Sequence, residues 1–360
     1  MIAQLRIAPL RGSDHVPAPA VSPRALLPRP RPGYHRGMPV SMVIRSVSLM
    51  ALLGIAAPPA QSPQMPAAVS PFPSGLSGTI AFQSDLRSAD NPAGHVRLYS
   101  IDLATGTIRA LTNAPTWDDE QPRWSPDGRR LAFKSNRNGQ DNYDLYVMDA
   151  DGGNLVRITD DPAHDHDPTW LPDGQSLVFS SARGSRADLY RVWLSDLHVE
   201  RLTDHFPGRA IMPRVSPDGA WVAFAAQTLP QPDGWTYQIH VLELATNQTW
   251  PFDESGPACW PNWSPDGQSI AHVSLLREPS VIQTLNSFGT SPQPLAGDPA
   301  RWHYYPDWSP DGRLLAASVS PEHHEGEDWD LAIIDPTRAA AFRRLTTGPG
   351  NDRLPDWRPR

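Results

Sequence analysis

The chain has 360 residues, of which 39% are hydrophobic, so it can build one large domain or several small ones. Its formal net charge of −8 offers no basic footprint for nucleic acid. With 41 prolines, 25 glycines and 13 tryptophans, long helices are disfavoured and many short strands separated by turns are favoured.

Residues 1–41 are rich in Pro and Arg and show no apolar periodicity. They read as a disordered stretch or a misassigned extension, because such a segment cannot bury enough surface to offset chain entropy. Residues 42–60 read as a signal peptide. A short basic lead ending at Arg45 precedes the apolar run Val47–Ala57, which Pro58 and Pro59 break. The run is too short to span a bilayer but fits an export signal, so a periplasmic or secreted location without a stable membrane anchor is expected. Signals normally open a chain, which puts the expected translation start at Met38 or Met42 and cleavage after Ala56 or Ala60. Residues 61–76 read as a Pro/Ser linker.

From residue 77 onward the chain repeats. Five segments align: Trp124–Gly128, Trp170–Gly174, Val215–Gly219, Trp263–Gly267 and Trp308–Gly312, each ending in Pro-Asp-Gly; a sixth begins at Trp357. Successive spacings are 46, 45, 48, 45 and 49 residues. A proline lies two positions before each of these starts, at 122, 168, 213, 261, 306 and 355. After each Pro-Asp-Gly comes an apolar strand such as Leu131–Phe133, then a second such as Asp144–Met148, then a third ending in Leu-Thr or a near equivalent, as at Ile158–Thr159. Alternation, β-branched and aromatic enrichment and Gly/Pro/Asp boundaries mark these runs as strands. In the turn, Pro presets φ, Asp bonds nearby backbone and Gly takes the positive φ that closes a hairpin.

Four strands per period of this length make one propeller blade. Residues 79–84, 96–102 and 107–112 supply three strands with no Pro-x-Trp strand before them, and Asp352–Trp357 supplies the fourth. The expected architecture is therefore all-β: a six-bladed propeller of four-stranded antiparallel blades spanning 77–360, with blade 1 closed by the C-terminal strand. The one cysteine, Cys259, excludes an internal disulfide and reads as a small buried side chain beside Trp260.

The W-S-P-D-G, I-A-F, D-L-Y-V-M-D and L-T series resembles the TolB-like propeller repeat, a relative of the WD40 repeat. The resemblance weakens at Val215, at Leu295-Ala296 and after Trp357. It implies a TolB-like propeller domain alone, since the linker runs straight into blade 1 with no N-terminal α/β domain before it. The same repeat forms the gating propeller of prolyl oligopeptidase-like and tricorn-type proteases, which carry a separate hydrolase domain.

In this topology the loops entering the first strands share one face of the ring, and loops on such a face commonly carry function. They hold Asp119, Glu120, His164, Asp165, His166, Asp167, Arg209, Trp260, His303, Tyr304, Tyr305, Asp352 and Arg353. This set is expected to ring the channel mouth as a polar, mildly acidic surface with aromatic anchors, suited to an envelope or secreted protein or peptide, or to a glycan. The alternative for individual Asp residues is turn capping or local backbone bonding. His164, His166 and His303 are candidate metal ligands, against a solvated polar loop as the alternative; no cofactor is expected. A charged run, Glu322–Asp328, reads as a solvated loop. No nucleophile elbow, phosphate loop or zinc helix motif appears, so the chain is expected to be a monomeric, non-catalytic binding scaffold. The alternative is a polysaccharide- or peptide-processing enzyme whose site is assembled from loops at the mouth.

Overall fold

A computed structural model describes residues 66–359, except 70, 72, 140, 228–236, 253–255, 277, 287–288, 290–292, 296–297, 299, 322–327 and 338–341. The extension, the signal segment, the start of the linker and most of Glu322–Asp328 lie outside the described residues.

Six four-stranded antiparallel sheets follow one another along the chain. Blade 2 runs Asp119–Trp124, Arg130–Ser135, Asp144–Asp149, Val156–Arg157. Blade 3 begins with Asp165–Trp170, blade 4 with Arg209–Val215, blade 5 with Ala258–Trp263 and blade 6 with Trp302–Trp308. These first strands contact one another all the way round the ring, so they are the innermost. Blade 1 joins Thr79–Ser84, Arg97–Asp102 and Ile108–Ala110 to the C-terminal Arg353–Trp357. There Trp357 pairs with Ile80, Asp356 with Ala81 and Arg353 with Gln83, and Trp357 shares a core cluster with Phe82. Part of the expected linker is also structured, because Ala67–Ala68 pairs antiparallel with Thr346–Thr347 and lies along blade 6.

The repeated residues have separate duties. In blade 2, Ser125 Oγ bonds Asp127 at 2.6 Å, Asp127 accepts the Arg129 N–H at 3.0 Å, and Ser125 Oγ accepts the Arg130 N–H at 2.9 Å. The same bonds recur at Ser216, Ser264 and Ser309. The threonine of each Leu-Thr accepts a backbone N–H from the third strand: Leu145 to Thr159 at 2.9 Å, Leu189 to Thr203 at 2.9 Å and Leu331 to Thr346 at 2.8 Å. Trp indoles reach the preceding blade, Trp170 Nε1 bonding the Arg123 carbonyl at 3.0 Å and Trp263 Nε1 the Arg214 carbonyl at 3.2 Å. Two departures from the repeat fall in one core cluster: Leu171 replaces the turn serine, and Val215 replaces the tryptophan.

The recurring proline marks a bulge in every first strand. In blade 2, Glu120 pairs with Lys134 and Arg123 with Ala132, so Gln121 and Pro122 together oppose one residue. Pro has no N–H to offer a ladder, which makes a bulge its natural place in an inner strand. The residue before each of these prolines, Gln121, Asp167, Met212, Trp260, Tyr305 and Leu354, has φ between 52° and 58°. Non-glycine residues held there cost roughly 1–3 kcal/mol each and persist because surrounding packing imposes them.

At the closure, Gly78 has φ +104°, and an added Cβ would lie 2.8 Å from Trp357 Nε1. Trp357 is 7% exposed. Replacing it with alanine should lower stability by about 3–5 kcal/mol, a large part of the roughly 5–15 kcal/mol typical of a domain. Urea unfolding of Trp357→Ala checks this; a loss below about 1 kcal/mol would mean that the closing strand carries little of the fold.

Candidate functional site

The bulge stacks three tiers of side chains along each inner strand. Counting from its proline, the residue two before lies toward the mouth, the residue one before lies at the bulge, and the residue one after lies near the far end.

The first two tiers divide the mouth into unlike halves. On blades 2 and 3, joined by Gln83 of blade 1, it is polar, whereas the bulge residue of blade 1, Leu354, is apolar and buried. Gln121 Nε2 donates to Asp167 Oδ1 at 2.7 Å, and the Asp167 N–H donates to Gln121 Oε1 at 2.7 Å. The Gln121 N–H goes to Gln83 Oε1 at 2.9 Å, and Ser180 Oγ bonds Asp167 Oδ2 at 3.0 Å. Above this chain, the Lys134 ammonium lies 3.2 Å from Glu120 Oε2, 3.3 Å from His166 Nδ1 and 4.3 Å from the centre of the Tyr143 ring. Tyr143 Oη donates to Glu120 at 2.8 Å. Burial first, then the Lys134 charge, pushes the His166 pKa down, so its ring is neutral and Nδ1 accepts from Lys134. Burial and the Glu120 carboxylate push the Tyr143 hydroxyl up.

On blades 4–6 the mouth is aromatic and apolar. The Trp260 and Tyr305 rings meet edge to face at 4.6 Å, and Tyr305 and Trp329 lie 6.3 Å apart. Met212, Ile211, Tyr237 and Trp302 are partly buried in the same cluster. The Arg353 guanidinium sits 5.3 Å over Trp329.

The residues singled out from sequence thus have different fates. Glu120, His166 and Asp167 belong to the polar network of blades 2 and 3, Trp260 and Tyr305 to the aromatic cluster, and Arg353 stacks over Trp329. Asp119 and Asp165 are fully buried and bind arginines inside their own blades, Arg137 at 2.7 Å and Arg183 at 2.8 Å. Asp352 is also buried, with its pKa pushed up to about 7 by burial. Arg209 is exposed at the start of its strand, and Tyr304 is buried against Trp329 at 5.5 Å. The His164 and His166 rings stack at 5.7 Å. His303, however, is 2% exposed on blade 6, with its ring against Phe342, so it does not join the blade 3 histidines. Among the described residues no group of three or more His, Cys, Asp or Glu side chains is arranged to hold a metal ion. Cys259 is buried, and its thiol is pushed up to about 12 by burial.

Sequence reasoning passed over the third tier: Arg123, Thr169, Arg214, Asn262, Asp307 and Asp356. These residues wall a cavity of about 440 Å³ at the tryptophan end of the channel. Asp307 Oδ2 accepts the Trp357 N–H and Asp356 Oδ2 the Trp124 N–H, both at 2.6 Å. Arg123 Nη1 lies 3.3 Å from Asp356, and Asn262 Nδ2 donates to Asp307 at 2.7 Å. Burial raises both carboxyl pKa values, and the neighbouring Asp356 charge raises that of Asp307 further. The signal in the sequence was the residue after each recurring proline, which is polar or charged although it lies between a buried proline and a buried or partly buried apolar residue.

Residues 90–249 match the family model described as the TolB beta propeller domain. Over those residues the chain is similar to that domain. TolB from Acinetobacter baumannii has a TM-score of 0.64 at 21% identity, covering 81% of this chain and 69% of that one, a likeness of fold alone. Among curated relatives, the uncharacterized protein Atu1656 of Agrobacterium fabrum is 31% identical over 189 residues, half of this chain and 62% of its own length. The uncharacterized peptidase YuxL of Bacillus subtilis is 29% identical over 141 residues, 29% of this chain and 21% of its own length. The chain thus spans less than two thirds of the length of either curated relative.

The buried carboxyls give stability an unusual pH dependence. Asp352 rises from 3.8 to about 7 on folding, and Asp307 moves the same way. Their folded forms hold protons that the unfolded chain releases, so this contribution is complete below about pH 4 and lost as pH rises through the folded values. His240 falls from 6.5 to about 4 by burial; its contribution is present above pH 6.5 and lost toward pH 4, outside the upper window. Between pH 6.5 and 8 the fold should therefore weaken with rising pH, by up to about 1.4 kcal/mol per unit for each group still protonated in the fold and ionised in the unfolded chain, and by about half that where the folded group is half titrated. Urea midpoints across this range check the trend, and Asp352→Asn should flatten it. An unchanged slope in that variant would show that Asp352 does not titrate there.

Proposed function

We propose that this chain is an exported, non-catalytic scaffold that binds a protein or peptide of the cell envelope at the channel mouth. The observation that carries the reading is the contrast between a hydrogen-bonding network on blades 2 and 3, joined by Gln83, and an aromatic cluster around Trp260 and Tyr305. An extended peptide presents the same mixture: amides and polar side chains for one half, apolar side chains for the other. Aromatic side chains held at a partly buried centre are the usual anchors of such interfaces, with polar groups fixing register. Trp260 and Tyr305 are held in place by the bulge backbone and by each other, so little side-chain freedom is lost when a partner docks. Export rests on the pattern at 42–60, a basic lead followed by an apolar run and a proline break.

A second reading, a loop-built hydrolase or lyase, draws support from the cluster of Lys134, His166, Glu120 and Tyr143. A neutral imidazole beside an ammonium and a carboxylate is an arrangement that can move protons. Its hydrogen bonds are already closed among themselves, which favours positioning over turnover.

Affinity capture from an envelope extract with the tagged full chain tests the binding reading. A specific partner should be retained, and Trp260→Ala should weaken its retention by about 30-fold or more, the effect of losing a central anchor. Leu197→Ser, at an exposed position, should leave retention unchanged. Equal retention by Trp260→Ala and the parent chain would contradict the assignment of the mouth.

A further inference from the structure

The cavity at the tryptophan end lies at the far end of the channel from the proposed docking face. Its volume of about 440 Å³ falls within the roughly 300–1,000 Å³ of small-molecule sites. We infer that it binds a carboxylate group, with Arg214 as the residue that receives it.

Arg214 is 7% exposed and lines the cavity. Its guanidinium makes one hydrogen bond, Nη1 to the Pro213 carbonyl at 2.7 Å. Among the described residues it has no carboxylate partner. Arg123 occupies the equivalent place on blade 2 and makes the same bond to the Pro122 carbonyl, at 3.0 Å, but has Asp356 beside it. Of these two arginines only Arg214 has no carboxylate beside it, and an unpaired charge in such a wall is costly. A carboxylate meets that fork with two parallel hydrogen bonds.

The charges of the wall point the same way. Arg123 and Asp356 cancel. Asp307 holds its proton through burial and the nearby Asp356 charge. One positive charge is left, on Arg214. A singly charged ligand balances it, whereas a dianion such as phosphate would be repelled by Asp356.

The repeat supplies a further argument. On blades 6 and 1 the residue after the proline is an aspartate that accepts the N–H of the next blade's tryptophan. On blade 4 that residue is Arg214, which has no oxygen to offer the next tryptophan, Trp263. Thr169, on the preceding blade, accepts the Val215 N–H at 3.4 Å and keeps its own proton to donate. Val215, standing where other blades have tryptophan, also lines the cavity beside Arg214.

Two sources present this chemistry: a small carboxylic acid, and the C-terminus of a peptide. Calorimetric titration of the full chain with sodium acetate, with acetamide, and with tetra-alanine as the free acid and as the C-terminal amide distinguishes them. Trp124, Trp170, Trp308 and Trp357 line the cavity, so indole fluorescence gives a second readout. Acetate should bind and acetamide should not. Binding of the free peptide acid but not its amide would identify a chain terminus; binding of acetate without the peptide would identify a small acid. Arg214→Met should weaken whichever binds by at least about tenfold, and Arg214→Lys, which keeps the charge but loses the fork, should fall between. Equal responses to acetate and acetamide in the parent chain, no response to acetate or the peptide acid, or unchanged binding in a folded Arg214→Met chain would overturn the inference.

Discussion

The domain depends on a clasp at the join between its two ends. Trp357 pairs with Ile80, completing the first sheet with the last strand. Asp307 of blade 6 then takes the Trp357 N–H, and Asp356 of the closing strand takes the Trp124 N–H of blade 2. The last strand is thus held from both sides by carboxyl oxygens in addition to its own ladder. Asn351 reinforces it with two hydrogen bonds to Asp85, at 2.8 and 2.7 Å, and Arg358 stacks 4.9 Å from the centre of the Trp124 ring while bonding the Gly128 carbonyl at 2.7 Å. Closure removes the open edges that a row of blades would present at its first and last sheets.

The same carboxyls connect closure to the channel. They sit one residue past each bulge, where the inner strand has turned its side chains back toward the axis. A group that fastens the ring here must also be buried near the others, so its proton affinity rises. The same bulge sets the pairs nearer the other end: among the six bulge residues, Gln121 pairs with Asp167 and Trp260 with Tyr305. One backbone irregularity, repeated six times, therefore shapes both ends of the channel.

The blade count, the turn chemistry and the split first blade were legible in the sequence because each rests on local spacing. Pro-Asp-Gly at a near-constant interval leaves few other solutions, and Trp357 stood in phase with the other starts. The bulge was not legible. Its proline was visible, but strand alternation assigns side chains to faces only while the register is unbroken, and a two-for-one pairing resets the facing of every residue beyond it. For that reason the reading from sequence singled out Glu120, His166 and Trp260 but passed over Arg214 and Asp307. It also grouped Asp119 and Asp165 with the mouth, although Arg137 and Arg183 draw both inward; those arginines lie 18 residues further along the chain, and strand spacing alone did not pair them. His303 was misplaced in the same way, since its distance from blade 3 is a property of the closed ring.

Amide hydrogen exchange resolved to single residues tests closure most directly. If the last strand is an integral part of blade 1, the amides of Trp357, Phe82 and Phe133 exchange only through global unfolding, with the same dependence on urea. If Trp357 exchanges at the rate of a free peptide while Phe133 stays protected, the ring is not closed by its C-terminus and the architecture described above is wrong.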